Sequence, residues 1–235
     1  METKINLHEK HRQRLKARAL REGLDGFEPH NVLELMLFFV LPHVDTNEIA
    51  HELINKFGSL NGVFNAPFEE LVQVKGIKNH AATFLKLIPE FSRCYAVEAS
   101  APRHDILTTD EIKERFLPLF IGRKEEIVAC MFFDIKGKLI DTKVLFKGSI
   151  NSVSFSYRDL VNEALTLNAF KVAVAHNHLN GSPIPSPDDL HTYKVLSDSL
   201  AKVSIEFIDS YVIAGDKCIS AYEFAINGAR CQTSH

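Results

Sequence analysis

The sequence lacks an apolar run long enough to cross a bilayer. Its longest candidate, LELMLFFVL at 33–41, is about half of the roughly 20 residues that a membrane-spanning helix requires. The amino-terminal segment METKINLHEKHRQRLKAR also lacks the apolar core of a signal peptide. We therefore predict no membrane insertion and no export, and we expect a cytoplasmic protein.

Closely spaced cysteines are also absent. The four cysteines, at positions 94, 130, 218 and 231, lie far apart and form no Cys-x-x-Cys pair. Thiolate zinc sites and redox motifs use such pairs, and disulfide frameworks are typical of small secreted chains. The spacing predicts reduced thiols, which agrees with a cytoplasmic location.

A large excess of charge is missing as well. The formal net charge is −3, which argues against a molecule that binds polyanions with its whole surface. Basic residues are nevertheless concentrated in one place, because seven lysines and arginines but one acid, Glu9, lie between Lys4 and Arg21. This segment is either a helix that contacts nucleic acid or an acidic protein surface, or a solvated helix face.

The 235 residues are enough for one large domain or two small ones. Apolar residues at helical spacing predict helices in the first part of the chain, with Gly23 and Gly58 as stops and Asp45 or Thr46 as a cap. These helices are expected at 8–23, 30–42, 45–58, 67–74 and 78–98.

The second part of the chain alternates strands with helices. Strands are predicted at 125–134, 139–148, 170–175, 204–215 and 217–225, and helices at 156–169 and 187–203. This pattern indicates an α+β or mixed α/β domain of ordinary size. We expect a helical domain at 1–98, a linker at 99–105, the mixed domain at 106–228 and a tail at 229–235.

A tight turn at Lys75-Gly76-Ile77 joins two of the predicted helices within the region 67–91. The region resembles a helix-hairpin-helix motif, in which backbone amides of the turn reach a DNA phosphate. Lys78 stands where that motif usually has a second glycine, and its ammonium could bind a phosphate. The resemblance implies DNA contacts at Lys75, Gly76 and Lys78. The alternative, an α-helical hairpin used for packing or protein contacts, remains open.

The segment KVAVAHNHLNGSPIPSPDDLH at 171–191 leads from a strand into a helix. His176 and His178 project on the same side of the strand, and Asp189 lies on the first turn of the helix that follows Ser186. Two imidazoles and one carboxylate form a catalytic type of zinc site with an open fourth position. The alternative is a polar turn before a capped helix, because Ser-Pro-Asp-Asp is also a capping sequence.

The spacing of these residues is that of a known motif. His-x-His, seven residues, Ser, two residues, Asp matches the JAMM motif of the JAB/MPN zinc metalloproteases. The chain resembles the RadC-like family more closely, over nearly its whole length and notably at 58–77, 145–151 and 164–178. This resemblance implies a helical amino-terminal module followed by a JAB/MPN-type, cytidine-deaminase-like mixed sheet with helices. Three positions depart from the family pattern without removing a ligand: Leu179, Asn180 and Ser210.

The resemblance also implies roles for individual residues. One Zn²⁺ per chain would be bound by His176, His178 and Asp189. A general base is expected on the first strand of the mixed domain, where Glu126 matches the family register. The adjacent Glu125 should face solvent because strand residues alternate sides, and Glu163 is a rival for the base. Ser186 would donate a hydrogen bond to the developing oxyanion.

Three functions follow as hypotheses. The first is a zinc-dependent metallopeptidase-type hydrolase that cleaves an amide or isopeptide bond in a protein or peptide substrate. The second is a DNA-binding repair or recombination factor whose JAMM domain hydrolyses nucleic acid or serves as a scaffold. The third is a catalytically idle JAMM scaffold for protein interactions, which the intact ligand set disfavours.

Overall fold

The computed structural model of the protein describes residues 2–100, 107–147 and 157–232. The chain divides into two compact units, one ending at Phe91 and the other beginning at Ser92. Most of the predicted linker 99–105 and the end of the segment 145–151 lie outside the described residues. No helix in the described ranges combines the length and the apolarity needed to span a bilayer.

The first unit is helical. Its helices are α1 (Glu2–Glu22), α2 (Pro29–Val40), α3 (Thr46–Phe57), α4 (Leu60–Asn65), α5 (Phe68–Leu71) and α6 (Asn79–Ala99), the last of which continues past Phe91. Apolar faces of α2, α3, α5 and α6 meet in one core, to which they contribute the fully buried Leu33, Leu37, Leu53, Leu71 and Leu85. The helical prediction for this part of the chain is confirmed.

Glycines and a polar cap explain where two of these helices begin and end. Gly23 and Gly58 follow α1 and α3 with φ of 74° and 80°, a left-handed conformation that costs glycine little because it has no Cβ. Asp45 begins α3 by accepting a hydrogen bond from the amide of Asn47 at 3.1 Å. Both stops and the cap agree with the prediction.

Two short helices differ from the prediction. The helix expected at 67–74 is the single turn α5, and α4 was not expected at all. The side chain of Ser59 caps α4 by accepting from the amide of Gly62. The sequence of α4 does not predict a helix, because Gly62 and two asparagines have low intrinsic helix propensity. The cap and the burial of Val63 stabilise the helix instead.

The second unit contains a five-stranded mixed sheet. In chain order its elements are α7 (Thr109–Phe116), β1 (Ile127–Phe133), β2 (Leu139–Lys147), α8 (Tyr157–Thr166), β3 (Lys171–Asn177), α9 (Pro187–Ala201), β4 (Glu206–Ala214), β5 (Lys217–Ser220) and α10 (Ala221–Gln232). The strand order is β2-β1-β3-β4-β5. The β3–β4 pair is parallel and the other pairs are antiparallel. The α+β class and the mixed sheet are confirmed.

The inner strands of this sheet are covered on both faces. On one face, alternate residues of β1 such as Ala129 and Met131 pack with Phe116 of α7. On the other face, their neighbours Val128 and Cys130 pack with residues of α8 and α9. Burial on both faces explains why β1 is a continuous apolar run instead of an alternating one. It also places helix α9 over the face on which Val128 lies.

The predicted strand 217–225 is wrong in its second half. Strand β5 ends at Ser220 and helix α10 begins at Ala221. The hydroxyl of Ser220 accepts a hydrogen bond from the amide of Glu223 at 2.9 Å, which is the bond of a helix N-cap. Helix α7 was also missed, although Thr108 and Glu111 form a capping box at its start and the Thr-x-x-Glu pattern could have predicted it.

Candidate metal centre

The two histidines stand at the end of the middle strand of the sheet. His176 pairs with Val128 of β1 on one side and with Val212 of β4 on the other, and its side chain is 2% exposed. His178 follows the strand, and its amide donates to the carbonyl of Ile213 at 2.8 Å. This bond extends the β3–β4 ladder by one step and fixes the second histidine next to the first.

Helix α9 brings the third side chain. Ser186 is its N-cap, Pro187 is its first residue and Asp189 is its third. The amide of Asp189 donates to Ser186 Oγ at 3.2 Å, and the amide of Ser186 donates to Asp189 Oδ2 at 2.8 Å. This capping box holds a buried carboxylate, 3% exposed, at the point where the loop from β3 enters the helix.

Potential ligand atoms of three side chains converge at this point. Nε2 of His176 lies 3.2 Å from Nε2 of His178. Asp189 Oδ1 lies 3.1 Å from the first of these nitrogens, and Asp189 Oδ2 lies 3.3 Å from the second. Within the described residues this is the group of three histidine, cysteine or acidic side chains whose ligand atoms could hold a metal ion.

The separations fit a tetrahedral ion. Zinc binds nitrogen and oxygen ligands at about 2.0–2.2 Å, so two neighbouring ligands of a tetrahedral site are about 3.3–3.6 Å apart. The separations of 3.1–3.3 Å are close to the edges of such a tetrahedron. The contacts to His176 and His178 involve different oxygens of Asp189, so the three distances do not outline one face. One ligand atom from each of the three side chains leaves a fourth position for water or substrate.

Hydrogen bonding assigns the lone pairs. Nδ1 of His178 lies 3.0 Å from the carbonyl oxygen of Ser182; because that oxygen only accepts, the proton of a neutral His178 is on Nδ1 and its Nε2 carries a lone pair. This lone pair faces Nε2 of His176 and the carboxylate of Asp189. If Nε2 of His176 carries a proton, that one proton has two acceptors beside it, Nε2 of His178 and the carboxylate of Asp189. A cation between the three side chains would instead accept a lone pair from each of them.

The electrostatics of Asp189 agree with a cation-binding role. Burial opposes ionisation of this carboxyl, but hydrogen bonds from His176 and Ser186 outweigh burial and hold its pKa far below the ordinary value. The group is therefore an ionised carboxylate at neutral pH. An ionised carboxylate with two neutral imidazoles is the ligand composition of catalytic zinc sites, while structural sites are commonly closed by thiolates.

The candidate catalytic residues differ in burial and in the partners of their side chains. Glu126 is half-buried and immediately precedes β1, whereas Glu125 is exposed, as the alternation of sides predicts. Glu163 is engaged elsewhere, because its Oε1 lies 2.6 Å from Nζ of Lys143. The hydroxyl of Ser186 donates to Asp189 Oδ2 at 2.6 Å, so it sits at the cluster but is directed to the carboxylate.

Sequence reasoning missed one side chain at this site. Asn177, between the two histidines, is 5% exposed and hydrogen-bonds to backbone groups of Glu125 and Ile127. A buried asparagine in a strand of apolar residues is unusual, and this polar residue in an apolar segment is the sequence feature that indicates a specific role for Asn177.

The predicted DNA contacts belong to the first unit. Lys75, Gly76 and Lys78 are exposed, whereas Val74 and Ile77 are buried in the helical core. Gly76 has a φ of 91°, and Lys78 keeps an ordinary negative φ. The turn therefore closes with a single left-handed residue. DNA contact at these positions stays a prediction.

The fold and the cluster together define a class: α+β proteins with a candidate catalytic metal centre at the end of the middle strand of a mixed sheet. A family model described as RadC-like JAB domain matches residues 105–226. The chain belongs to the RadC-like JAB domain family, and the resemblance noted from its motifs is confirmed.

Relatives extend over most of the chain. A UPF0758 protein of Burkholderia thailandensis is 31% identical over 204 residues, which are 86% of this chain and 78% of the relative. A UPF0758 protein of Paraburkholderia xenovorans is 31% identical over 90% of this chain and 82% of its own length. One of Fusobacterium nucleatum is 28% identical over 91% of this chain and 95% of its own length. These names state no activity.

Proposed function

We propose that the protein is a zinc-dependent hydrolase that cleaves amide or isopeptide bonds in a protein or peptide substrate. In this proposal one Zn²⁺ per chain is held by His176, His178 and Asp189. The observation that carries it is the convergence of two imidazole nitrogens and an ionised carboxylate at 3.1–3.3 Å, with the lone pair of His178 directed inward. Membership of the RadC-like JAB domain family supports the same chemistry.

The composition favours a catalytic centre over a structural one. Three protein ligands leave one position of a tetrahedral ion open, and structural zinc sites fill that position with protein. Zinc in such a site lowers the pKa of a coordinated water toward neutrality and polarises a carbonyl. The chain's own contribution is to orient the ligands and to move the proton.

Glu126 is proposed as the general base. Its carboxylate would take a proton from the attacking water and return it to the leaving nitrogen of the cleaved bond. The half-buried position just before β1 supports this role, and so does the engagement of the rival Glu163 with Lys143. Ser186 is proposed to turn its hydroxyl from Asp189 toward the developing oxyanion, while the backbone half of the capping box keeps Asp189 in place.

Metal analysis of purified protein tests the proposal. The wild type should carry about one equivalent of zinc per chain, and His178→Ala should lose it because a ligand is removed. His191→Ala is the matched control, since His191 is exposed on α9 and is not a ligand. Glu126→Gln should retain zinc and lose hydrolytic activity. Equal zinc in the wild type and His178→Ala, or none in either, would contradict the proposal.

A second candidate function is DNA binding through the first unit, as in a repair or recombination factor. The observation that favours it is the pair of exposed lysines, Lys75 and Lys78, on either side of a left-handed glycine at the entry to α6. Amides at the start of a helix bind phosphate oxygens, and flanking ammonium groups add attraction.

We also propose a cytoplasmic location, which the free thiols of Cys94, Cys130 and Cys218 support.

A further inference from the structure

The backbone ladder between β1 and β3 ends two residues before the candidate base, Glu126. Its last pair is Val128 with His176. The next residue of β3, Asn177, continues the connection with its side chain: Oδ1 accepts from the amide of Ile127 at 2.7 Å, and Nδ2 donates to the carbonyl of Glu125 at 3.2 Å. A side-chain carboxamide thus replaces the next backbone rung.

These two bonds enclose Glu126. The carbonyl of Glu125 belongs to the peptide group that precedes Glu126, and the amide of Ile127 belongs to the peptide group that follows it. Fixing both peptide groups fixes the two backbone dihedral angles of the residue between them. Asn177 therefore sets the direction in which the Glu126 side chain leaves the backbone, without contacting that side chain.

The direction so fixed is toward the metal centre. Ile127 faces the core that contains Phe116, whereas Val128 faces α8 and α9. His176 is paired directly with Val128 and shares its face, because opposite residues of a ladder project to the same side. With strand alternation continued by one residue, Glu126 projects to the face of His176 and Asp189.

We propose that Asn177 is a positioning residue that orients Glu126 toward the metal held by the histidines on either side of it. One short segment, 176–178, then supplies two ligands and the support of the base, so that ligands and base keep a fixed relation. This inference rests on the proposed function. The alternative is that the hydrogen bonds of Asn177 only stabilise the end of β1. An experiment must distinguish this structural role from the positioning of Glu126.

Cobalt(II) is the probe, because it takes tetrahedral sites and its visible spectrum responds to groups around the bound ligands. The full chain would be loaded with cobalt as wild type, Glu126→Gln, Asn177→Ala and the double variant Glu126→Gln/Asn177→Ala. Asp134→Ala is the matched control. Asp134 follows the other end of β1 and accepts from the amides of Lys136 and Lys138, so its loss also removes side-chain to backbone bonds.

We expect Asn177→Ala to bind cobalt with the stoichiometry of the wild type, because all three ligands remain. The amide of Ile127 should exchange with solvent about tenfold faster, as its acceptor is lost. The cobalt spectrum should move to that of Glu126→Gln, and the double variant should show no further change, since both substitutions remove the same interaction. Asp134→Ala should give the wild-type spectrum.

Different outcomes contradict the positioning role of Asn177 and the proposed metal centre. Asn177→Ser covers the case in which Asn177→Ala does not fold, because its hydroxyl is polar but too short to reach both backbone groups. If either variant binds cobalt with faster Ile127 exchange and a wild-type spectrum, or if the spectral changes of Glu126→Gln and the Asn177 variant add, the positioning role is wrong while the metal centre stands. If the wild type binds no cobalt, the proposed function fails, and the positioning role fails with it.

Discussion

At the scale of single residues, Asp189 combines two tasks in one carboxylate. Oδ2 accepts from both the amide and the hydroxyl of Ser186, whereas Oδ1 has its close contact with His176. The capping bonds engage Oδ2, which also lies 3.3 Å from Nε2 of His178, and leave Oδ1 as the better ligand atom. The same bonds orient the carboxylate before a metal arrives, which lowers the entropic cost of binding.

A second buried carboxylate in the same sheet has the opposite character. Asp209 on β4 accepts from the amides of Ser210 and Tyr222 and from the hydroxyl of Ser220. Burial nevertheless prevails and raises the pKa of Asp209 above its ordinary value. An unfolded aspartate ionises near about pH 3.9, so the folded protein keeps Asp209 protonated to a higher pH than the unfolded chain does.

This shift predicts a pH-dependent effect of Asp209→Asn. Below about pH 3.9 both states of the wild type are protonated at this position and the carboxyl causes no penalty. As the pH rises from there through the folded-state pKa, ionisation favours the unfolded chain, and asparagine does not have this penalty. The free energy of unfolding of the variant, minus that of the wild type, should therefore increase with pH in urea titrations. A difference that stays constant or decreases would contradict the assignment.

At the scale of elements, Gly76 in the turn before α6 is a poor position at which to test DNA binding by substitution. A Cβ on Gly76 would lie 2.6 Å from Cδ1 of the core residue Ile49, at a φ of 91°. Gly76→Ala should therefore destabilise the first unit by about 1–2 kcal/mol. Loss of DNA binding in that variant would not distinguish a lost phosphate contact from a weakened fold.

Lys78→Ala separates these causes, because the lysine is exposed and its loss should leave the thermal stability of the first unit nearly unchanged. If the turn binds DNA, affinity should fall for all sequences alike, and the slope of log K against log salt should decrease by about one. The measurement is a salt titration of DNA binding, with Lys136→Ala in the turn after β1 as the control. Identical slopes for Lys78→Ala and the wild type would exclude a phosphate contact at this lysine.

The sequence predicts features that depend on a single helix or strand, and it does not predict those that depend on how strands pair. His176 and His178 are two residues apart at the end of a strand, and Ser186 and Asp189 occupy the N-cap and third position of a helix. Local geometry alone determines such relations. Asn177 could not be assigned in the same way, because its partners lie 50 and 52 residues away and depend on the β1–β3 pairing. The segment 221–225 was misread because its aromatic residues favour strands, and the Ser220 cap decides for a helix.

At the scale of the whole molecule, the two compact units carry different chemistry. The candidate metal centre lies entirely within the unit that begins at Ser92, and the exposed lysine turn lies entirely within the unit that ends at Phe91. The two candidate functions are therefore compatible, and substitutions in one unit should not abolish the activity of the other.

Above all, we propose that two imidazoles and one carboxylate hold zinc with one coordination position open. X-ray absorption spectroscopy of the zinc-loaded full chain tests it most directly. We expect four nitrogen and oxygen neighbours at about 2.0–2.2 Å, with the outer-sphere scattering of two imidazoles, and one imidazole fewer or no bound zinc in His178→Ala. A sulfur neighbour at about 2.3 Å, or a wild-type spectrum without two imidazoles, would contradict the claim.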